Sequence, residues 1–131
     1  MKEGPAEIKG FHAHVYYDLA TRATASRVRD GLAERFEVEL GRWHGRPVGP
    51  HPKSMYQVKF APDQFGVLVP WLMVHREGLD ILVHPETGED VEDHTDRALW
   101  LGEKLDLNIE VLRRVSATDQ GGKPLEKARA F

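Results

Sequence analysis

The order of strand-like and helix-like segments is the feature that most restricts the fold of this chain. Four short segments have the alternation or the composition of strands, and they are GFHAHVYY (10–17), FEVELGRW (36–43), MYQVKFA (55–61) and LDILVHP (79–85). Two longer segments, at residues 18–36 and 62–78, repeat apolar residues at the three- and four-residue spacing of a helix. Up to Pro85 the sequence therefore predicts the order strand, helix, strand, strand, helix, strand.

This order is that of a ferredoxin-like α+β fold, in which two strand–helix–strand units form one antiparallel sheet. The strand order is then 4-1-3-2, so the first strand is central and lies beside the fourth, and both helices cover one face. Asp18 is placed to cap the first helix, and Pro70 should kink or split the second. The residues of the second helix predicted to face the sheet are Phe65, Leu68, Val69, Leu72 and Met73.

Beyond Pro85 the sequence has less regular patterns of apolar and polar residues. Residues 86–95 are rich in turn-forming residues and predict a loop, whose acidic side chains are expected only to solvate it. HTDRALWLGEKL (94–105) then predicts a further, C-terminal helix, and NIEVLRRV (108–115) a possible extra strand. We expect a single domain over residues 1–131, with a core from about residue 10 to 115 and a mobile tail over 116–131.

Side-chain direction in the predicted strands brings histidines together. Alternate residues of a strand point to opposite faces, so His12, His14 and Tyr16 lie opposite Phe11, Ala13 and Val15. By the same argument Gln57 of the third strand and His84 of the fourth share the face that carries His12 and His14. Because these strands are neighbours, the sequence predicts a group of imidazoles on the sheet face away from the helices.

Such a group has the chemistry of a metal site. The Cβ atoms of His12 and His14 should lie roughly 6.5 Å apart, since a strand rises about 3.3 Å per residue, and imidazoles can converge on a metal across that gap. His84 is the third expected ligand, and Glu86 could add a carboxylate. Two histidines and a carboxylate that leave coordination positions open are typical of non-haem Fe(II) oxygenases. The alternative is a pair of solvated or hydrogen-bonded histidines without a metal.

Composition excludes several other classes of site. The chain has no cysteine, so disulfides, thiolate metal sites and cysteine nucleophiles are excluded, and any transition metal depends on histidines and carboxylates. The net charge of −3 argues against nucleic acid as a partner. Residues 1–10 lack the apolar segment of a signal peptide, and no run of apolar residues is long enough to span a membrane. We therefore expect a cytoplasmic protein with no membrane partner.

Four segments resemble one known family. FHAHVYYD, PVGPHPKSMYQVKF, VPWLMVHREGLDILVHPETG and DHTDRALWLG are similar to the DOPA 4,5-dioxygenase family of small extradiol dioxygenases, in the same order, from about Phe11 to Gly102. The resemblance implies a ferredoxin-like domain that uses non-haem Fe(II) and O2 to cleave catechols such as L-DOPA. The histidine-bearing segments of that family correspond here to His12, His14, His51, His84 and His94.

On this basis we expect His12, His14 and His84 to bind Fe(II), with Glu86 as a possible substitute for one of them. His51 and His94 are expected to act as acid or base, and Tyr16 to donate a hydrogen bond to an oxygen of the catechol or of bound oxygen. A second subunit is expected to cover the open sheet face, which makes a homodimer. Two alternatives stay open: a ferredoxin-like binding or regulatory module without catalysis, and an enzyme of another reaction type on the same fold.

Overall fold

The computed structural model describes the backbone of residues 7–120 and the side chains of residues 7–114. It contains five strands: β1 (Gly10–Tyr16), β2 (Glu39–Leu40), β3 (Met55–Phe60), β4 (Ile81–Glu86) and β5 (Leu99–Leu101). Its four α-helices are α1 (Arg22–Arg35), α2 (Phe65–His75), α3 (Asp90–His94) and α4 (Ile109–Gln120). No helix within residues 7–120 is long and apolar enough to cross a lipid bilayer.

The strands form one antiparallel sheet in the order β2-β3-β1-β4-β5. This confirms the predicted α+β, ferredoxin-like arrangement, with β1 at the centre between β3 and β4. The helix-facing side chains of β1, β3 and β4 alternate as expected from the pleat. They form the main core with residues of α1 and α2, and its members include Ala13, Val15, Tyr56, Val58, Ile81, Val83, Ala25, Leu32, Leu68 and Leu72.

The two long helices begin and end largely where their sequences predict. Asp18 caps a 3₁₀ turn that continues into α1, since its Oδ1 accepts a hydrogen bond from the backbone N–H of Thr21 at 3.0 Å. Pro70 does not split α2, which is continuous from Phe65 to His75. The predicted stripe of α2 is right for Leu68, Val69 and Leu72, which are buried, but wrong for Met73, which faces outward.

The predictions beyond β4 were wrong in detail. Residues 94–105 contain the strand β5 instead of a helix, because Trp100 and its neighbours pair with the edge of β4 and complete its ladder. The predicted last strand over residues 108–115 lies within the helix α4, in which Leu112 is buried. Helix α4 also includes the first residues of the expected tail, and residues 121–131 lie outside the described part of the chain.

The sheet face opposite the main helices is covered by the chain itself. Tyr16, Met55 and Leu82 are buried there beneath Val48, Ala98, Trp100, Leu105 and Leu107. The backbone N–H of Asn108 donates to the carbonyl of Pro50 at 2.8 Å, which ties the two covering segments together. The uncovered sheet face that motivated the homodimer is therefore absent among the described residues, and dimerisation stays a prediction that needs another surface.

Candidate metal centre

Three histidines of the central strands converge on the covered face of the sheet. His12 and His84 lie directly opposite each other in the β1–β4 ladder, and His14 lies two residues further along β1, on the same face of the sheet. The Nε2 atoms of His14 and His84 are 3.1 Å apart, and one nitrogen from each of the three rings lies within 4.8 Å of the others. The alternation of the strands thus gives the arrangement that the sequence predicted, and His12, His14 and His84 can hold a metal ion.

The hydrogen bonds of these rings leave nitrogens suited to ligation. The Nδ1–H of His84 donates to the carbonyl of Pro85 at 2.9 Å, so the lone pair of neutral His84 is on Nε2, the atom that faces His14. His14 is buried, and its Nδ1 has no hydrogen-bond partner among the described residues. Two ligands about 2.1 Å from one metal ion and at right angles lie about 3.0 Å apart, which is close to the separation of the two Nε2 atoms. The donor set therefore fits a transition metal ion.

Glu86 lies at the edge of this group. Its Oε2 is 3.3 Å from Nδ1 of His12 and 3.5 Å from Nδ1 of His84. Because β4 alternates, Glu86 shares the face of His84, and its register partner on β1 is Gly10, which brings its carboxylate beside His12. The carboxylate therefore approaches the Nδ1 side of the His12 ring.

Two more histidines complete a cluster of five rings, and we call these two the outer histidines and the three on the strands the inner histidines. His51, from the loop before β3, lies with its ring centroid 4.2 Å from that of His14. His94, the last residue of α3, lies 4.0 Å from His84 by the same measure. All five histidines that the sequence singled out are thus brought together.

The two outer histidines are held by different partners. The hydroxyl of Tyr16 lies 2.6 Å from Nδ1 of His51, and burial raises the pKa of Tyr16, so the phenol keeps its proton. The Nδ1–H of His94 donates to the carbonyl of Asp90 at 2.8 Å. Because a carbonyl oxygen only accepts, neutral His94 has its lone pair on Nε2, whereas the hydroxyl of Tyr16 is compatible with either tautomer of His51.

Burial keeps this cluster neutral. Removal from water disfavours an imidazolium, and it lowers the pKa of His12 to about 4 and that of His51 to about 3. The pKa values of His14, His84 and His94 are lowered for the same first reason. Neighbouring positive charge, such as that of Lys59 beside His12, acts in the same direction. Neutral imidazoles are the form that binds metals, so the fold prepares the rings for ligation.

The metal-free protein should accordingly lose stability in mild acid. Each imidazole with a folded pKa below the unfolded value of 6.5 binds its proton more readily in the unfolded chain, so the free energy of unfolding falls as the pH drops below about 6.5. The loss should be about 1.4 kcal/mol per pH unit for each such ring, and for His12 it should continue to about pH 4. Urea unfolding of chelator-treated protein at a series of pH values measures this slope. A midpoint that does not change with pH would contradict the expectation.

The acidic loop before β5 has a structural role that the sequence analysis missed. The buried carboxylate of Asp93 accepts hydrogen bonds from the backbone N–H of Thr87 at 2.9 Å and from Arg97 at 3.1 Å. Asp93 was predicted only to solvate the loop, and that was wrong. The presence of Arg97 four residues later was a signal for the pair, but burial of Asp93 depends on the packing of α3 against β4. This network fixes α3 and so the position of His94.

This chain matches the model of one protein family and is similar to two curated proteins. Residues 11–111 match the model of the family described as the Dopa 4,5-dioxygenase family. An uncharacterised 21.2 kDa protein of Botryotinia fuckeliana is 38% identical over 80% of this chain and 64% of its own length. A DOPA 4,5-dioxygenase of Amanita muscaria is 33% identical over 79% of this chain and 50% of its own length. The chain thus spans between half and two thirds of these curated relatives.

A solved structure is also similar to this chain. The crystal structure of a candidate dioxygenase from Nostoc punctiforme is 65% identical in sequence, with a TM-score of 0.84. The match covers 86% of this chain and 98% of the other. The similarity therefore extends over most of this chain.

Proposed function

This chain belongs to the Dopa 4,5-dioxygenase family, and on that premise we propose that it is an extradiol dioxygenase that uses non-haem Fe(II) and O2. Its substrate would be L-DOPA or a related catechol, whose ring opens at the bond beside the two hydroxyl carbons, with both atoms of O2 entering the product. The observation that carries the proposal is the convergence of His12, His14 and His84, with two Nε2 atoms 3.1 Å apart.

The three inner histidines are assigned as the metal ligands. They are neutral, they come from adjacent strands, and their nitrogens lie close enough together for one ion. Three ligands leave coordination positions open on a six-coordinate ion. Fe(II) held there would supply these positions for the two catechol oxygens and for O2, and a route for electron density between them.

The two outer histidines are assigned to proton transfer, with opposite roles. His94 has its lone pair on Nε2, because its Nδ1–H is bonded to the carbonyl of Asp90, so it would accept a proton from the catechol. We assign the Tyr16 hydroxyl as the donor to Nδ1 of His51, which leaves the proton of His51 on Nε2, so His51 would donate a proton to developing negative charge on oxygen. Tyr16 then acts by fixing the tautomer of His51, and not by contacting substrate directly.

We assign Glu86 as the hydrogen-bond partner of His12 on the side away from the metal, and not as a metal ligand. A carboxylate that accepts from Nδ1–H of a ligating histidine fixes the ring and makes Nε2 a better ligand, and the 3.3 Å approach to His12 Nδ1 suits that role. Glu86→Ala should weaken metal binding by about 10- to 100-fold, whereas Glu86→Gln, which keeps an acceptor oxygen, should lose less.

Competition with a fluorescent chelator for Co(II) or Zn(II) measures this affinity without any turnover. Glu34→Ala is the matched control, since Glu34 is an exposed residue of α1 on the other side of the sheet. Wild-type affinity in Glu86→Ala would remove Glu86 from the centre.

The activity itself is tested by anaerobic titration with Fe(II) and a panel of catechols, followed by exposure to air. We expect oxygen uptake and the absorbance of a muconic semialdehyde, both dependent on added Fe(II). Activity without metal would point to another reaction type. No uptake with any catechol, in protein that binds Fe(II) tightly, would favour a binding module without catalysis.

A further inference from the structure

The outward face of α2 carries apolar side chains where a surface helix normally carries charge. Val67, Met73 and Val74 are 57%, 54% and 76% exposed, and Gly66 and Pro70 lie exposed among them. These five residues, which we call the α2 stripe, recur at the three- and four-residue spacing of a single helix face.

Helix α2 differs in this from its neighbour in the same layer. Its eleven residues include no Asp, Glu, Lys or Arg, whereas the exposed residues of α1 include Arg22, Arg27, Asp30 and Glu34. A helix that is apolar on all sides is normally buried on all sides. Because the inner face of α2 already packs on the sheet, the outer face is the part that lacks a partner among the described residues.

The α2 stripe is complementary to itself. Its members are placed symmetrically around Pro70, with Val67 and Met73 three residues away and Gly66 and Val74 four residues away. A twofold axis through Pro70 would therefore set Val67 against the partner's Met73, and Gly66 against the partner's Val74. The second pairing places the smallest residue of one helix opposite a branched residue of the other, which permits close packing.

The dipoles of the two helices favour the same antiparallel arrangement. Asp63 is exposed just before the helix begins. Beyond the other end lie the ion pair of Arg27 with Glu77, whose N–O distance is 2.9 Å, and Arg76, whose guanidinium lies near the carboxylate of Asp80, so the charges at this end balance. Antiparallel packing therefore brings no like charges together and opposes the two helix dipoles.

We propose that the α2 stripe is the contact surface of a twofold homodimer in which α2 packs antiparallel against α2 of a second copy. The interface lies on the outer side of the helix layer, across the sheet from the histidine cluster. Each copy therefore keeps its own metal centre, and the dimer is independent of whether that centre is loaded. The surface is isologous, as in most soluble dimers.

Sedimentation equilibrium of the full chain tests the proposal. The wild-type protein should have twice the monomer mass of 14.9 kDa. Val74→Asp should raise the dissociation constant by about 100-fold or more, because each copy would then bury an unpaired carboxylate in the interface. Met73→Lys should act in the same direction. Leu19→Asp is the control, since Leu19 is 96% exposed outside the stripe, and it should stay dimeric.

Two further measurements keep the test decisive. The circular dichroism and the metal content of Val74→Asp should match those of the wild type, which separates dissociation from misfolding. Peroxide should oxidise Met73 slowly in the dimer and faster in Val74→Asp. A wild-type protein that is monomeric at all concentrations, or a Val74→Asp protein that dimerises normally, would overturn the proposal. Slow oxidation of Met73 in a monomer would instead assign the stripe to another segment of the same chain.

Discussion

Alanine at His14 or at His84 should abolish both metal binding at the centre and catechol cleavage. These two rings face each other through Nε2 atoms 3.1 Å apart, so each substitution removes one of the three proposed ligands and leaves a void beside the others. Loss of an outer partner of a ligand typically costs 10- to 100-fold in affinity. Loss of a ligand itself should exceed about 100-fold, and oxygen uptake should fall to background.

Metal analysis after anaerobic loading, together with oxygen uptake, measures both effects. His75→Ala is the matched control, because it removes an imidazole that stacks on Trp71 at the end of α2, far from the cluster. The control should bind one metal ion and turn over as the wild type does. Full metal content in both His14→Ala and His84→Ala would refute the assignment of the ligands.

Substitution of the outer histidines should instead separate turnover from metal binding. His94→Gln and His51→Gln should retain their metal yet lose about 10²- to 10⁴-fold in kcat, the usual contribution of a positioned acid or base. The ring of His94 lies against His84 and that of His51 against His14, with centroids about 4 Å apart, so each can reach a molecule bound at the inner rings.

The hydrogen bonds of these rings sharpen the expectation. Tyr16→Phe removes the hydrogen-bond partner of Nδ1 of His51, so it should lower kcat in the same direction as His51→Gln, but by less, and it should leave metal affinity unchanged. The steady-state rates and the metal content of the same preparations provide the comparison. If the metal content of His94→Gln or His51→Gln falls along with kcat, that histidine belongs to the ligand set.

Much of the fold was predictable because its signals are local. Alternation along β1 and β4 fixes which side chains share a face, and the order of elements up to Pro85 fixes which strands are neighbours. Together they predict that His12, His14 and His84 lie on one face of the sheet. The strand order and the convergence of these rings were confirmed.

The errors fall where local signals compete with packing. Residues 99–101 form β5 because the edge of β4 offers hydrogen bonds and because Trp100 stacks on Tyr16, with ring planes 16° apart. Gly102 then takes a φ of 86°, which the interior of a helix would not allow. Met73 fits a helical stripe by spacing, yet it points outward. Its burial was predicted wrongly because periodicity alone does not say how wide the buried face of a helix is.

By itself, therefore, the sequence determined the succession of strands and helices up to Pro85 and the side of the sheet that carries the inner imidazoles. Only the tertiary structure decided that His51 and His94 join them, that Glu86 approaches Nδ1 of His12, and that the chain covers this face without a second subunit. The reason is separation along the chain. Side-chain direction repeats every two residues, whereas Tyr16 and His51, which are in contact, are separated by 35 residues that include the loop before β3. Such contacts depend on the loops and helices between them, and no short pattern encodes them.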